Sequence, residues 1–153
     1  MIPKEFFVTS GKATSQVSEL NAFDLALKKA GISQCNIVSV SSVLPPRCKE
    51  KKWKDIPIGA ITYSVVARMD GKEKTTIGAG IAWTWEKTKK YGIVAETHGN
   101  MKLKALKDIL EWKIKEMAKI REIEIDKIAY RTESLKVPEN SYGSVIVALV
   151  YAS

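Results

Sequence analysis

The chain has 153 residues, 45% of them hydrophobic and 27% charged, the balance of a globular domain and not of a disordered, collagen-like or coiled-coil chain. Its net charge is +8, and 21 of its 25 basic residues are lysine, a usage that suits solubility more than the arginine-rich reading of bases and phosphates. Two cysteines and one histidine cannot build a four-ligand zinc site or a histidine-rich catalytic one without carboxylates, so no metal is expected.

Along the chain, Lys4 to Thr9 is an apolar stretch that Ser10-Gly11 is expected to end. A helix follows, with Ser18 and Asn21 at its start, Ala22, Phe23 and Leu25 to Leu27 within it, and Gly31 after two lysines as its stop. Cys35 to Val40 alternates as a half-buried strand does. Ser41-Ser42-Val43-Leu44-Pro45-Pro46 then leads into the lysine-rich stretch Arg47 to Lys54, where the prolines exclude both helix and central strand.

From Gly59 the pattern is β again: Ile61 to Arg68, an Asp70-Gly71 hairpin, Thr75 to Trp85 and Tyr91 to Glu96, read as a meander. Met101 to Ile123 carries apolar residues at 103, 106, 110, 114, 117 and 120, the spacing of an amphipathic helix. Asp126 to Lys136 and Tyr142 to Tyr151 are two more strands around a Pro138-Glu139-Asn140 turn. The eight-residue apolar run Val145 to Ala152 marks the last as central, and it is far short of the roughly 20 residues that a membrane helix needs. Two helices and about seven strands with no linker predict one α+β domain, residues 1–153, with helices covering a largely antiparallel sheet.

Several motifs have an unremarkable reading. Gly78-Ala79-Gly80 lacks the third glycine and the following helix of a dinucleotide fingerprint. His98 has no G-x-S-x-G serine to serve and is expected in a loop beside Gly99. Lys49 to Lys54 with Trp53 could neutralise phosphates and stack on a base, but a solvated loop explains them, and no nucleic-acid partner is expected. The opening MIPKEFFVTSGK does not read as an export signal. A cytoplasmic chain keeps Cys35 and Cys48 reduced.

The segment Ser41 to Pro46 places two hydroxyls at a strand end, and the prolines keep Leu44 and Pro45 extended. On spacing alone this is an ordinary turn whose serines bond local backbone. However, Leu20-Asn21-Ala22-Phe23-Asp24, the Ala30-Gly31-Ile32 helix end, Asn36 and Ser41 to Pro46 together resemble the pyruvoyl-dependent arginine decarboxylase family. Glu96 in Gly92-Ile93-Val94-Ala95-Glu96 is similar to that family's strand-end glutamate, and Glu116-Met117-Ala118 is similar to its long helix. The resemblance weakens between Arg47 and Ile58 and between Leu135 and Tyr142.

The resemblance implies a four-layer αββα sandwich assembled as trimers or paired into hexamers, with active sites between subunits. It implies self-cleavage into a β chain, residues 1–41, and an α chain, residues 42–153. The Ser42 hydroxyl attacks the Ser41 carbonyl, the resulting ester undergoes β-elimination, and the dehydroalanine left at position 42 hydrolyses to a pyruvoyl group and ammonia. That covalent pyruvoyl group is the implied cofactor, in place of pyridoxal phosphate and of any metal. It would decarboxylate arginine to agmatine with Glu96 as proton donor, Asp24 holding the guanidinium and Asn36 near the pyruvoyl. Without the resemblance, Asp24 is a first-turn acid, Glu96 a surface charge and Asn36 a turn residue. Two rivals remain open: a sister pyruvoyl enzyme for another basic amino acid such as histidine, and a non-catalytic basic module.

Overall fold

A computed structural model describes residues 1–153. In chain order the elements are β1 (Glu5–Ser15), α1 (Glu19–Ala30), β2 (Asn36–Ser39), β3 (Val43–Leu44), β4 (Lys49–Glu50), β5 (Ile61–Lys72), β6 (Thr76–Trp85), β7 (Gly92–Gly99), α2 (Leu103–Ile120), β8 (Ala129–Lys136) and β9 (Tyr142–Ala152). They form a first sheet in the order β2-β5-β9-β1-β4 and a second in the order β3-β7-β6-β8. Only the β2–β5 and β1–β4 pairs are parallel.

The sheets pack face to face, α1 covers the first and α2 the second, so the layers run α-β-β-α. Strand β9 shows why. Val145, Val147, Leu149 and Tyr151 enter the core between the sheets, while Ile146, Ala148 and Val150 lie in the core with Ala26 and Ala30 of α1. A strand buried on both faces needs a continuous apolar run, which is why this one could be placed at the centre from sequence.

Helix α1 starts where Ser18 accepts a hydrogen bond from the Asn21 N–H, and ends at Gly31 in the left-handed region at φ 81°. Its Ala22, Ala26 and Ala30 are buried. The close approach that these small residues allow explains a departure from the expected pattern: β1 does not stop at Ser10-Gly11 but continues to Ser15. Gly11 lies under the helix, where an added Cβ would be 2.2 Å from the Ala26 carbonyl oxygen. Gly11→Ala should therefore destabilise the fold by about 1–3 kcal/mol, because backbone has to move. A denaturant midpoint equal to that of the unaltered protein would show that the helix shifts freely.

Helix α2 lays Leu106, Leu110, Ile114 and Ala118 on the second sheet. The Gly78-Ala79-Gly80 stretch proves to be the seat for this helix, since an added Cβ would meet the Leu106 side chain at 2.7 Å or the Leu110 side chain at 2.8 Å.

The expected meander is corrected by the topology. Asp70-Gly71 lies inside β5, paired with Ser144 and Gly143, and the chain turns at residues 73–75, with Lys74 at φ 66°. There it passes from the first sheet to the second, so β5 and β6 are not a hairpin. Gly71 serves that corner, where an added Cβ would lie 2.5 Å from Ile77. Likewise β8 and β9 belong to different sheets. The seven long strands are joined by two-residue edge strands β3 and β4, one on each side of Pro45-Pro46.

Trp53, considered above as a base-stacking residue, packs on Phe7 with ring centroids 4.7 Å apart and covers Gly31. Its indole N–H donates to Asp55. The tryptophan fastens the lysine-rich stretch to the end of α1.

Candidate active site

The Ser41-Ser42 peptide is the link by which the chain leaves the first sheet for the second. On its N-terminal side β2 pairs with β5, and the Val40 N–H donates to the Ser64 carbonyl at 2.9 Å. On its C-terminal side the Ser42 carbonyl accepts from the Val94 N–H at 2.9 Å, β3 pairs with β7 at Val43–Ile93 and Leu44–Gly92, and Leu44 is fully buried. Ser41 is exposed and Ser42 half-buried. Both ends of the crossover are thus held by a different sheet, and the serines span the gap at the edge of the sandwich.

A pocket of about 760 Å³ opens beside them, lined in part by Val40, Ser41, Ser42, Val43, Ile61 and Tyr63. This is the size of a small-molecule site. Its surroundings are unusually apolar for a surface: Ile61 is 68% exposed, and Val38, Val40, Val43 and Tyr63 are each exposed by more than a third.

Glu96 lies within β7 and not at its end, because the strand continues to Gly99 and carries His98 with it, opposite Ala79. His98 is therefore a strand residue and not the loop residue that the sequence suggested. Glu96 follows Val94 by two residues, about 7 Å along the same strand face. Strand β3 pairs only at Ile93 and Gly92, so the edge of β7 beside Glu96 is open. The Glu96 side chain is exposed, yet loss of solvent around its carboxyl raises its pKa above the ordinary carboxylate value, against the opposing pull of His98 and Lys113. Lys113 of α2 reaches across to donate to the Glu96 backbone carbonyl at 3.0 Å and to the Thr97 hydroxyl at 3.3 Å.

The other two candidates are elsewhere on the same chain. Asn36 begins β2, where its side-chain amide donates to the Gly59 carbonyl at 2.9 Å. It is separated from the serine pair by roughly 17–20 Å of extended chain. Asp24 stands on the exposed side of α1, next to Phe23, whose ring carries the Arg68 guanidinium 3.4 Å from its centroid. None of Glu96, Asp24 and Asn36 lines the pocket beside Ser42, although Ile61, the strand partner of Asn36, does. Glu96 thus shares a strand with the Val94 that holds Ser42, Asn36 is exposed at the start of β2, and Asp24 is exposed on α1.

Two mostly antiparallel sheets packed face to face between two helices are the architecture that the sequence resemblance anticipated. The chain belongs to the pyruvoyl-dependent arginine decarboxylase family, whose model matches residues 5–153. It is 28% identical over 150 residues to a pyruvoyl-dependent arginine decarboxylase of Methanopyrus kandleri, an alignment covering 98% of this chain and 97% of that one. It is 38% identical over 107 residues to pyruvoyl-dependent arginine decarboxylase 2 of Methanosarcina mazei, and 35% identical over 104 residues to a probable pyruvoyl-dependent arginine decarboxylase of Chlorobaculum parvum. These two alignments cover 64% and 63% of this chain and 56% of each relative.

Two parts of the site were not legible in the sequence. The Val94 N–H is a backbone group whose partner depends on how β3 meets β7, and no side chain signals it. The pocket wall from β5 is visible in sequence only as Ile61 and Tyr63, two residues of an expected strand.

Proposed function

We propose that this chain decarboxylates L-arginine to agmatine and carbon dioxide, using a pyruvoyl group made from Ser42 when the chain cuts itself between Ser41 and Ser42. The observation that carries the reading is the position of that peptide, an exposed crossover with each flank hydrogen-bonded into a different sheet. Cutting it removes no strand pairing, so the 41-residue and 112-residue pieces stay in one fold.

The residues present suit the group. Ser42 is already held through its carbonyl, so a ketone formed at its side of the peptide inherits that placement. When present, the pyruvoyl group supplies the electron sink for loss of carbon dioxide. Glu96 keeps a proton to higher pH than an ordinary carboxyl and can deliver it to the substrate's α carbon. Asp24 offers two carboxylate oxygens to a guanidinium, and Asn36 positions the substrate near the ketone.

Asp24 and Asn36 are exposed and do not line the pocket beside Ser42 of their own chain, while the rim around Ser42 is apolar and exposed. Both facts favour sites completed by a neighbouring subunit, in a trimer or a hexamer. The chain is read as working in the cytoplasm, which suits its two free cysteines. No helix is long and apolar enough to cross a membrane.

A competition assay on the processed protein tests the substrate. Agmatine should form in preference to the products from lysine, ornithine and histidine, since a planar fork gains two charge-assisted bonds where an ammonium gains a point contact. Asp24→Ala should raise KM for arginine and blunt that preference, by about 2–5 kcal/mol where a neighbouring subunit shields the pair. Equal rates for histidine and arginine, or unchanged selectivity in Asp24→Ala, would move the assignment to the sister enzyme for another basic amino acid.

A further inference from the structure

The strongest unassigned contact near the scissile peptide comes from the far end of the chain. Tyr151, at the end of the central strand β9, points into the space between the sheets and is only 9% exposed. Its hydroxyl donates to the Val43 carbonyl at 2.7 Å. The bond joins the first sheet to the edge strand of the second.

Val43 needs it for a topological reason. In an antiparallel pair, alternate residues direct their backbone groups at the partner strand. Ser42 bonds to β7 through Val94, so the Val43 carbonyl points the other way. Because β3 is the outermost strand of its sheet, no further strand can accept that duty. Tyr151 supplies the missing donor. With it, two successive carbonyls after the scissile bond are fixed, at Ser42 by Val94 and at Val43 by Tyr151, and the next residue, Leu44, is buried. On the other side the nearest backbone anchor is at Val40.

We infer that Tyr151 is a positioning residue for chain cleavage at Ser41-Ser42: it immobilises the backbone that carries the attacking hydroxyl. The inference rests on the self-cleavage reading above. The step it serves is balanced within the chain. The Ser42 Oγ bonds to the Ser41 carbonyl carbon and releases its proton, the bond from that carbon to the Ser42 nitrogen breaks, and the nitrogen takes up the proton. Fixing Ser42 and leaving Ser41 to approach it lowers the entropic cost of that attack. The phenol suits the task because burial, with a smaller contribution from the neighbouring Cys48, pushes its pKa up to about 12, so it stays a donor throughout the working range.

The test follows cutting over time by intact mass after cell-free synthesis, in the unaltered chain, in Tyr151→Phe and in a chain with 3-fluorotyrosine at 151. Tyr151→Phe should cut about tenfold more slowly, the effect of one neutral hydrogen bond. The fluorinated phenol, a stronger donor of nearly the same shape, should cut at least as fast as tyrosine. A residue that only fills the core would make the rate follow the unfolding midpoint and not donor strength. Tyr151→Phe cutting at the unaltered rate overturns the inference. If Tyr151→Phe does not fold, the fluorotyrosine chain decides, and a rate below that of tyrosine overturns it. An unaltered chain that never cuts defeats the reading at Ser41-Ser42 itself, a failure visible before any variant of Tyr151 is compared.

Discussion

Ser42→Ala should give a single uncut chain of 153 residues with no decarboxylase activity and a nearly unchanged fold. The expected loss is complete because, on the proposed route, that hydroxyl makes the cut and must then leave with Ser41 for the ketone to form, so no partial function remains. The fold should survive because Ser42 is tied to β7 through its carbonyl and is only half-buried. Removing a hydroxyl that is not a buried partner typically changes stability by no more than about 0.5 kcal/mol. Intact mass and an unfolding curve on the same sample check both halves. Normal cutting in Ser42→Ala would show that another group attacks.

The second large effect is at Glu96. Glu96→Gln should process normally and then turn over roughly 10²–10⁴-fold more slowly, since an amide keeps the shape but has no acidic proton to give. The loss should appear in kcat and in kcat/KM together. Cutting should be unaffected because the proposed attack of the Ser42 hydroxyl on the Ser41 carbonyl calls on no proton from Glu96. The sign of the pH dependence follows from the raised pKa. With Glu96 as the proposed donor the acid form is the competent one, so turnover should hold below that pKa and fall as pH rises through it, and the loss of solvent around the carboxyl should extend the active range upward. Replacing Lys113, whose charge pulls the other way, by Met should move the fall to higher pH. Turnover near that of the unaltered protein in a fully processed Glu96→Gln sample would remove Glu96 from the mechanism.

Which features were legible in the sequence depended on whether their cause was local. The caps of α1 at Ser18 and Gly31 are short-range backbone chemistry and were readable. So were the Leu106, Leu110 and Ile114 stripe of α2 and the central position of β9, because burial on one face or on two leaves a periodic mark. Gly11 and Gly71 misled for the opposite reason. Each looked like a turn residue, and each is a glycine inside a strand because a distant segment passes within a Cβ's reach, Ala26 in one case and Ile77 in the other. The passage of β5 to β6 between sheets leaves no periodic signal, since both strands alternate as hairpin strands would.

The site divides in the same way. The serine pair and Glu96 could be singled out because their residue types are distinctive and a family pattern surrounds them. The bond from Tyr151 to Val43 could not, because it depends on where β9 ends relative to an edge strand more than a hundred residues earlier. Glu96, Asp24 and Asn36 matched by pattern, and only the fold shows that none of them lines the Ser42 pocket of its own chain.

The most direct measurement is the intact mass of the unaltered protein under denaturing conditions. Self-cleavage predicts two polypeptides, of 41 and 112 residues, the larger blocked to Edman degradation and carrying one ketone that borohydride reduces. A single chain of 153 residues with a free hydroxyl at Ser42, in a preparation that releases agmatine from arginine, would contradict the account.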